Sequence, residues 1–372
     1  MNRATSIGIT RRLIAHVVAD TTDLAEAPRI ESAECFLDPG RWEREREQFF
    51  FDTPQAIGFA GQVAEPGSYM TAEVMDVPVL VTRDREGVLR AFRNVCAHRG
   101  ARIASGCGKR ARLTCRFHGW SYGLDGKLAG RGSGSAFEPD LVSTALQALP
   151  VSDRAGLIVV GLRPEMGSLR VEHALDDIAP ALEGHGLEEM IFVASDRFEV
   201  AANWKLVVNL SHEGYHFATL HRDSLAPMMS GHGVVDEFGL HTRWAFPLRG
   251  IENLREKDEA DWPDFPPAAV NHTLFPGTVI VANQGNAQMI RVEPGGRPQS
   301  SVIYFSSVSE GSEVSDAARA TYEFGRGIFE GEDLPIAVEC QRGIEAGKRP
   351  VVVGRNEPVV QLWHRRWEEE LS

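Results

Sequence analysis

Apolar and polar residues alternate with a period of two through residues 66–95, PGSYMTAEVMDVPVLVTRDREGVLRAFRNV, where β-branched residues are frequent. This pattern predicts a small antiparallel β unit with a turn at Asp84–Gly87. Further strands are expected around 111–115 and 119–128, with a turn at Asp125 and Gly126, so residues 45–155 read as a short all-β domain. Beyond Pro164 the texture changes. Residues 168–187 have helical spacing, 190–206 look like strands, and 207–221 return to helical spacing. Strand-like runs at 234–248, 272–293 and 299–309 then precede helical stretches at about 315–346 and 356–371. The expected architecture is α+β: the all-β domain, then residues 156–372 folded as a mostly antiparallel sheet with helices, with residues 1–44 packing on that second domain. The Pro- and charge-rich segment 252–267, ENLREKDEADWPDFPP, is expected to be an exposed loop.

Composition narrows the function classes. With 372 residues, 43% of them hydrophobic, the chain can bury two cores. Its net charge of -13 argues against nucleic acid and anionic membrane as partners. Residues 1–23 do not read as a targeting signal, and no apolar run approaches the length of a membrane span. Five cysteines are too few and too scattered for a disulfide framework, which points to a reducing, cytoplasmic setting in which some of them serve as ligands.

Chemistry concentrates in two stretches. In NVCAHRGARIASGCGKRARLTCRFHGW, Cys96 and His98 form Cys-x-His, and Cys115 and His118 form Cys-x-x-His. Two thiolates with two imidazoles suit a 2Fe-2S cluster in which histidines replace thiolates on one iron, lowering its negative charge and raising its potential. A structural zinc site is the alternative, although zinc spacing usually pairs Cys with Cys and His with His. The second stretch, HEGYHFATLH at 212–221, spells HExxH. Read literally, His212 and His216 grip zinc from one helical face and Glu213 acts as general base. The longer zinc pattern, with a third His six residues after the second, fails here because the offset to His221 is five and no Gly intervenes. On a straight helix His216 and His221 point about 140° apart, so they can share a metal only where the helix ends or bends.

With these residues in place, the chain resembles the Rieske non-haem iron oxygenases in their terminal oxygenase (α subunit), aromatic ring-hydroxylating form. The likeness runs from about residue 40 to the end, through the β unit, CRFHGWSYGLDGKL, NWKLVV, EGYHFATLH and EDLPIAVECQRG. It implies an N-terminal all-β Rieske domain followed by a catalytic domain with a helix-grip sheet. It implies Cys96, His98, Cys115 and His118 as ligands of a 2Fe-2S cluster, and a mononuclear Fe(II) held by His216, His221 and Asp333, with Glu332 the second choice for the carboxylate. His212 becomes a bystander, and Glu213 a carboxylate that bridges the catalytic His216 to a cluster histidine, His118, of a neighbouring subunit, which implies a homotrimer. The implied activity uses O2 and electrons from NAD(P)H, delivered by a ferredoxin or flavin reductase, to hydroxylate a small organic, typically aromatic, substrate. Demethylation or attack on a quaternary ammonium compound is the alternative within the family, and a small β subunit stays open. One departure stands out: family members usually carry Glu-Asn-Phe after NWKLVV, whereas this chain has Asn209-Leu210-Ser211.

Lesser signals remain. Eight basic residues and no acidic one lie between Gly87 and Leu124, a docking face for an acidic electron carrier or simply a solvated surface. Cys107 reads as a free thiol off the ligand spacing, and Cys35 and Cys340 as buried small hydrophobes. GRGSGS at 130–135 reads as a flexible connector, and the absence of GxGxxG argues against a nicotinamide or flavin site, so a separate reductase is expected. His212, His232, His241 and His272, with Met228 and Met229, are candidates for lining a substrate pocket.

Overall fold

A computed structural model describes residues 1–132, 134–137 and 143–372; Ser133, within the expected connector GRGSGS, lies outside the described residues. The chain is α+β and divides into two compact units, Phe50–Leu175 with Leu187–Phe192, and Met1–Phe49 with Asp176–Gly186 and Val193–Ser372. Among the described residues, no helix is long and apolar enough to cross a membrane.

The first unit is built from short antiparallel strands. Ser68–Val74, Val77–Arg83 and Leu89–Arg93 form a meander inside a five-stranded sheet. The expected turn at Asp84 forms because its carboxylate accepts the N–H groups of Glu86 and Val88 and Gly87 supplies φ +80°. The first hairpin turns at Met75 and Asp76, both with positive φ, a tight turn that carries no Asn-Gly signature. The expected boundary at 155/156 falls inside another such turn: Val151–Arg154 and Leu157–Val160 are paired across Ala155 and Gly156, and Leu157–Val160 also pairs with Gln55–Phe59. The β unit therefore runs past residue 155, because a strand's partner is fixed by distant pairing that local texture does not reveal.

The second unit is organised by a seven-stranded sheet. In chain order its strands are β1 (Ile191–Val200), β2 (Val234–Phe238), β3 (His241–Pro247), β4 (Ala268–Leu274), β5 (Thr278–Asn283), β6 (Asn286–Pro294) and β7 (Ser301–Ser309). They lie in the order β1-β7-β6-β5-β4-β3-β2, with β2 to β7 a continuous antiparallel meander. Every residue of β3 and β4 is buried, so both faces of the sheet are covered and these strands lack a clean polar alternation. Helix α1 (Arg3–Ala19), capped by the Asn2 side chain on the Thr5 N–H, lies against β2 and β3 and buries Ile9, Leu13 and Ile14 with Val234, Ala245 and Val270. Helices α2 (Trp204–Asn209), α3 (Asp316–Ile328), α4 (Leu334–Gly347) and α5 (Pro358–Leu371) complete the unit, α3 and α4 being joined by a π-helical turn over Phe329–Asp333.

Three local expectations differ from the structure. The helical spacing of 207–221 yields a helix only to Asn209, after which the chain runs in successive turns. The segment 252–267 is not wholly exposed, because two 3-10 turns carry Trp262 inward, where its indole N–H donates to the Leu254 carbonyl. Cys340 is exposed on an outward face of α4, whereas Cys35 is buried as expected.

Candidate metal and substrate site

In the first unit the two short motifs fold into a matched pair of loops. The Cys96 N–H donates to the Ala101 carbonyl and the Gly100 N–H to the Cys96 carbonyl; the Cys115 N–H donates to Trp120 and the Gly119 N–H to Cys115 in the same way. Gly100 and Gly119, each four residues after its cysteine, sit at φ +76° and +74°, conformations that favour glycine. Both sulfurs are thereby buried in a core with Tyr69, Trp120 and Tyr122. The His98 and His118 rings lie 4.6 Å apart at the exposed rim, and His98 stacks on Trp120. His98 Nδ1 is buried without a hydrogen-bond partner, the condition of a nitrogen available to a metal. Its pKa is lowered, first by desolvation and then by the charges of His118 and Arg99, which favours the neutral imidazole. The Tyr122 hydroxyl lies 3.3 Å from Cys96 Sγ and accepts the Ala97 N–H.

In the second unit the end of α2 at Asn209 releases the chain to wrap, and the His216 and His221 rings come to 4.8 Å. The π turn brings Asp333 to the same point. His221 Nε2 is 3.1 Å and His216 Nε2 3.8 Å from Asp333 Oδ1, and one donor atom from each of the three lies within 4.8 Å of the others. Each imidazole is held from behind by a second carboxylate. Glu213 takes His216 Nδ1 and its backbone N–H, while Glu332 takes His221 Nδ1 at 2.7 Å and also accepts from the Ser224 hydroxyl. Both rings consequently present Nε2 to one point, an arrangement that orients metal-binding histidines. Burial opposes charge on His221, but its contacts to Asp333 and then Glu332 outweigh that and raise its pKa, so the two carboxylates favour positive charge at this point. Two imidazoles and one carboxylate on one side of an ion leave positions open for other ligands.

Of the sequence candidates, Glu332 therefore supports a histidine instead of facing the metal position. His212 points elsewhere: fully buried, it stacks on Trp363, contacts the Thr273 hydroxyl at 3.1 Å, and is pushed down to about 3 by desolvation. The literal HExxH pair is thus not assembled.

A cavity of about 380 Å³ opens beside Glu213, His216, His221 and Asp333. Its apolar wall includes Leu210, Phe217, Leu225, Phe246, Ile290 and Phe305, and both Met228 and Met229 line it. Strand pairing sets the polar part of the floor. Asn271, Val281 and Gln288 lie in one cross-strand row, with Asn283 opposite Asn286 at the hairpin end, all on the cavity side. Asn271 is 8% exposed and its Oδ1 has no partner. His272 neighbours Asn271 on the same strand and faces the other way, as does His241, whose Nδ1 accepts the Phe275 N–H. His232 pairs with Asp20 and Ser230. None of His212, His232, His241 and His272 lines the cavity, since strand parity and chain path direct them away. The amide row went unrecognised in the sequence because isolated Asn and Gln residues carry no motif.

Comparison with known proteins gives a consistent picture. Residues 53–136 match the Rieske 2Fe-2S domain, and residues 187–372 match the family described as ring hydroxylating alpha subunit (catalytic domain). The carnitine monooxygenase oxygenase subunit of Escherichia coli is 26% identical over 328 residues, covering 84% of each chain. Choline monooxygenase of Spinacia oleracea is 31% identical over 194 residues, 50% of this chain and 44% of that one. A quaternary ammonium Rieske monooxygenase in complex with L-carnitine has a TM-score of 0.77 at 21% identity, covering 94% of this chain and 97% of that one. Naphthalene 1,2-dioxygenase from Rhodococcus sp. bound to indole gives 0.71 at 18% identity, covering 98% of both. At these identities the structural likeness speaks for the fold.

Glu332→Gln keeps the shape of the His221 support but removes its charge. The expected result is a roughly 10–100-fold weaker hold on metal at His216, His221 and Asp333, read by iron competition titration; unchanged affinity would show that Glu332 does not orient the ring. Tyr122→Phe deletes the hydroxyl beside Cys96 Sγ, a contact that stabilises the more negative, reduced state of a cluster. A net hydrogen bond of about 1 kcal/mol corresponds to roughly 40 mV for one electron, so redox titration should place the variant lower by that order.

Proposed function

The chain belongs to the Rieske non-haem iron oxygenases as an α, or oxygenase, subunit, and on that footing we propose that it is a monooxygenase for an uncharged, largely apolar substrate, an aromatic ring among them, that carries a hydrogen-bonding group. Enzymes of this family use O2 and electrons from a reductase partner and carry a Rieske 2Fe-2S cluster and a mononuclear iron. When bound, these groups supply stepwise electron delivery and activation of dioxygen. Cys96, His98, Cys115 and His118 are the proposed cluster ligands, and His216, His221 and Asp333 the proposed iron ligands. In the overall conversion one oxygen atom enters a substrate C–H bond and the other leaves as water, consuming two electrons and two protons.

The observation that carries the substrate reading is the composition of the cavity wall. Its described lining is apolar apart from His216, His221 and Asp333, the carboxylate of Glu213, Ser211, Thr321 and the amide group of Asn271, Asn283, Asn286 and Gln288, and it contains no Lys or Arg. A substrate bearing a carboxylate has no counter-ion there, and its desolvation goes uncompensated. Leu210 adds apolar surface where the family commonly places an Asn. A second reading, oxidation of a quaternary ammonium compound that lacks a carboxylate, is favoured by the phenyl rings of Phe217, Phe246, Phe305 and Phe329 around an acidic site and by the choline monooxygenase relative.

For electron supply, the proposal extends to Glu213 as the carboxylate linking His216 to His118 of a partner subunit in a homotrimer. His118 is exposed next to Phe117, and Glu213, itself partly buried, lies two residues before the exposed Tyr215. Sedimentation analysis showing only monomer would remove this part. Of the eight basic residues, Arg90, Arg102 and Lys109 pair with Asp84, Glu73 and Glu65. Arg99, Arg110, Arg112 and Arg116 remain exposed, a face suited to an acidic ferredoxin.

Two measurements test the proposal. Anaerobically purified protein reconstituted with a reductase is assayed for product with indole, choline and L-carnitine. Oxygenated indole with no turnover of L-carnitine is expected; aldehyde release from choline alone moves the assignment to the second reading, and turnover of L-carnitine alone sinks both. Arg110→Glu combined with Arg112→Glu should raise the apparent KM for a ferredoxin at least several-fold, an effect that fades with salt; an unchanged KM retires the docking face.

A further inference from the structure

The C-terminal helix is tied to residues near the start of the chain. Strand Arg29–Glu31 pairs with Val351–Val353, and the helical turn Glu34–Leu37 that follows packs its Cys35 and Phe36 inward. Glu31, Cys35 and His364 of α5 meet there, at 2%, 5% and 1% exposure. His364 Nδ1 lies 3.8 Å from Cys35 Sγ and 3.7 Å from Glu31 Oε2, and the three donor atoms all fall within 4.8 Å of one another. At 3.7 Å the carboxylate is beyond hydrogen-bonding reach of the ring, and the thiol is at best a weak partner. A buried carboxylate, thiol and imidazole thus aim three donor atoms at one point, held to one another only by a long ion-pair contact and a weak sulfur contact.

The spacing has a simple explanation. Tetrahedral metal bonds of about 2.0–2.3 Å place neighbouring ligand atoms about 3.3–3.8 Å apart, the range of both measured edges. The far side of two ligands is also held. Glu31 Oε1 is paired with Arg29, which leaves Oε2 facing the ring, and His364 Nε2 lies 2.9 Å from the Asn209 amide, whose Oδ1 has no other partner among the described residues; with the amide turned so that Oδ1 accepts from Nε2–H, the proton sits on Nε2 and the Nδ1 lone pair faces the cluster. Such outer contacts orient metal ligands.

We propose that Glu31 Oε2, Cys35 Sγ and His364 Nδ1 bind one divalent cation, Zn2+ by the character of the donors, at a structural site separate from His216, His221 and Asp333. A mixed sulfur, nitrogen and oxygen set suits zinc and excludes the hard ions magnesium and calcium. One thiolate and one carboxylate balance the charge of the ion, so a neutral unit is buried. The ion would clamp residues 31–35 to α5, whose Trp363 stacks on His212 beside the active-site turns.

The test is metal analysis with zinc-edge X-ray absorption on the full chain carrying His216→Ala and His221→Ala, which removes the His-His-Asp site; zinc held by Cys96, His98, Cys115 and His118 is told apart by its indifference to Cys35→Ala. About one zinc per chain with a sulfur neighbour near 2.3 Å is expected, and a drop of at least tenfold in zinc when Cys35→Ala is added, with iron and sulfide unchanged. Should Cys35→Ala misfold, His364→Gln takes its place, with the same loss expected. Absence of zinc, a zinc shell of nitrogen and oxygen only, or zinc content indifferent to both substitutions overturns the proposal.

Discussion

Five residues of α-helix turn the chain through about 500°, and that number constrains the second unit more than any other. His216 and His221 cannot present their rings to a common ion from a continuous helix, so the helix that begins at Trp204 has to stop before them, and it stops at Asn209. The successive turns that follow bring the two rings to 4.8 Å. The partner carboxylate arrives from 112 residues further on, at the end of the π turn where α3 passes into α4. Adjacent residues in a π turn diverge in direction, and this one sends Asp333 to the Nε2 side of His221 and Glu332 to its Nδ1 side. The irregular backbone at both places is what the site geometry requires, in keeping with the frequent occurrence of π turns at functional positions.

The sheet supplies the remainder. Because side chains alternate along a strand, the meander register decides at once which residues see the cavity and which pack behind it. Asn271 faces the cavity and His272 faces away; Phe246 lines it and Ala245 packs under α1. A shift of one residue in register would exchange these sets. The amide row and the phenyl walls are thus products of one long-range pairing pattern, and they define a space that is apolar with a narrow polar strip. In the first unit the comparable device is local. Two loops with the same hydrogen-bond scheme, each turned by a glycine, bury two sulfurs and leave two imidazoles at the rim.

Much of this was legible in the sequence, for reasons that differ from residue to residue. The candidate ligand types and their short spacings, Cys96 with His98 and Cys115 with His118, are properties of single loops, so the chain order alone reports them. The same holds for the alternation that predicts Ser68–Val74 and Val77–Arg83, and for the Asp84 turn, whose carboxylate caps its own backbone. The angular argument likewise excluded a straight helix across His216 and His221 without any structure.

Other features depend on what lies far along the chain. Which of Glu332 and Asp333 faces the Nε2 side of the two rings is fixed by a π turn, a rearrangement of backbone hydrogen bonds that no residue type announces. The hairpins at Met75-Asp76 and Ala155-Gly156 form because their flanking strands pair, and the first of them lacks the glycine that turn chemistry leads one to expect. His212, His241 and His272 are chemically equal to the ligands in sequence, yet packing against Trp363 and strand parity remove them from the cavity. Local chemistry and periodicity are encoded residue by residue; direction and encounter are set by pairing across the fold, and only the tertiary structure contains that information.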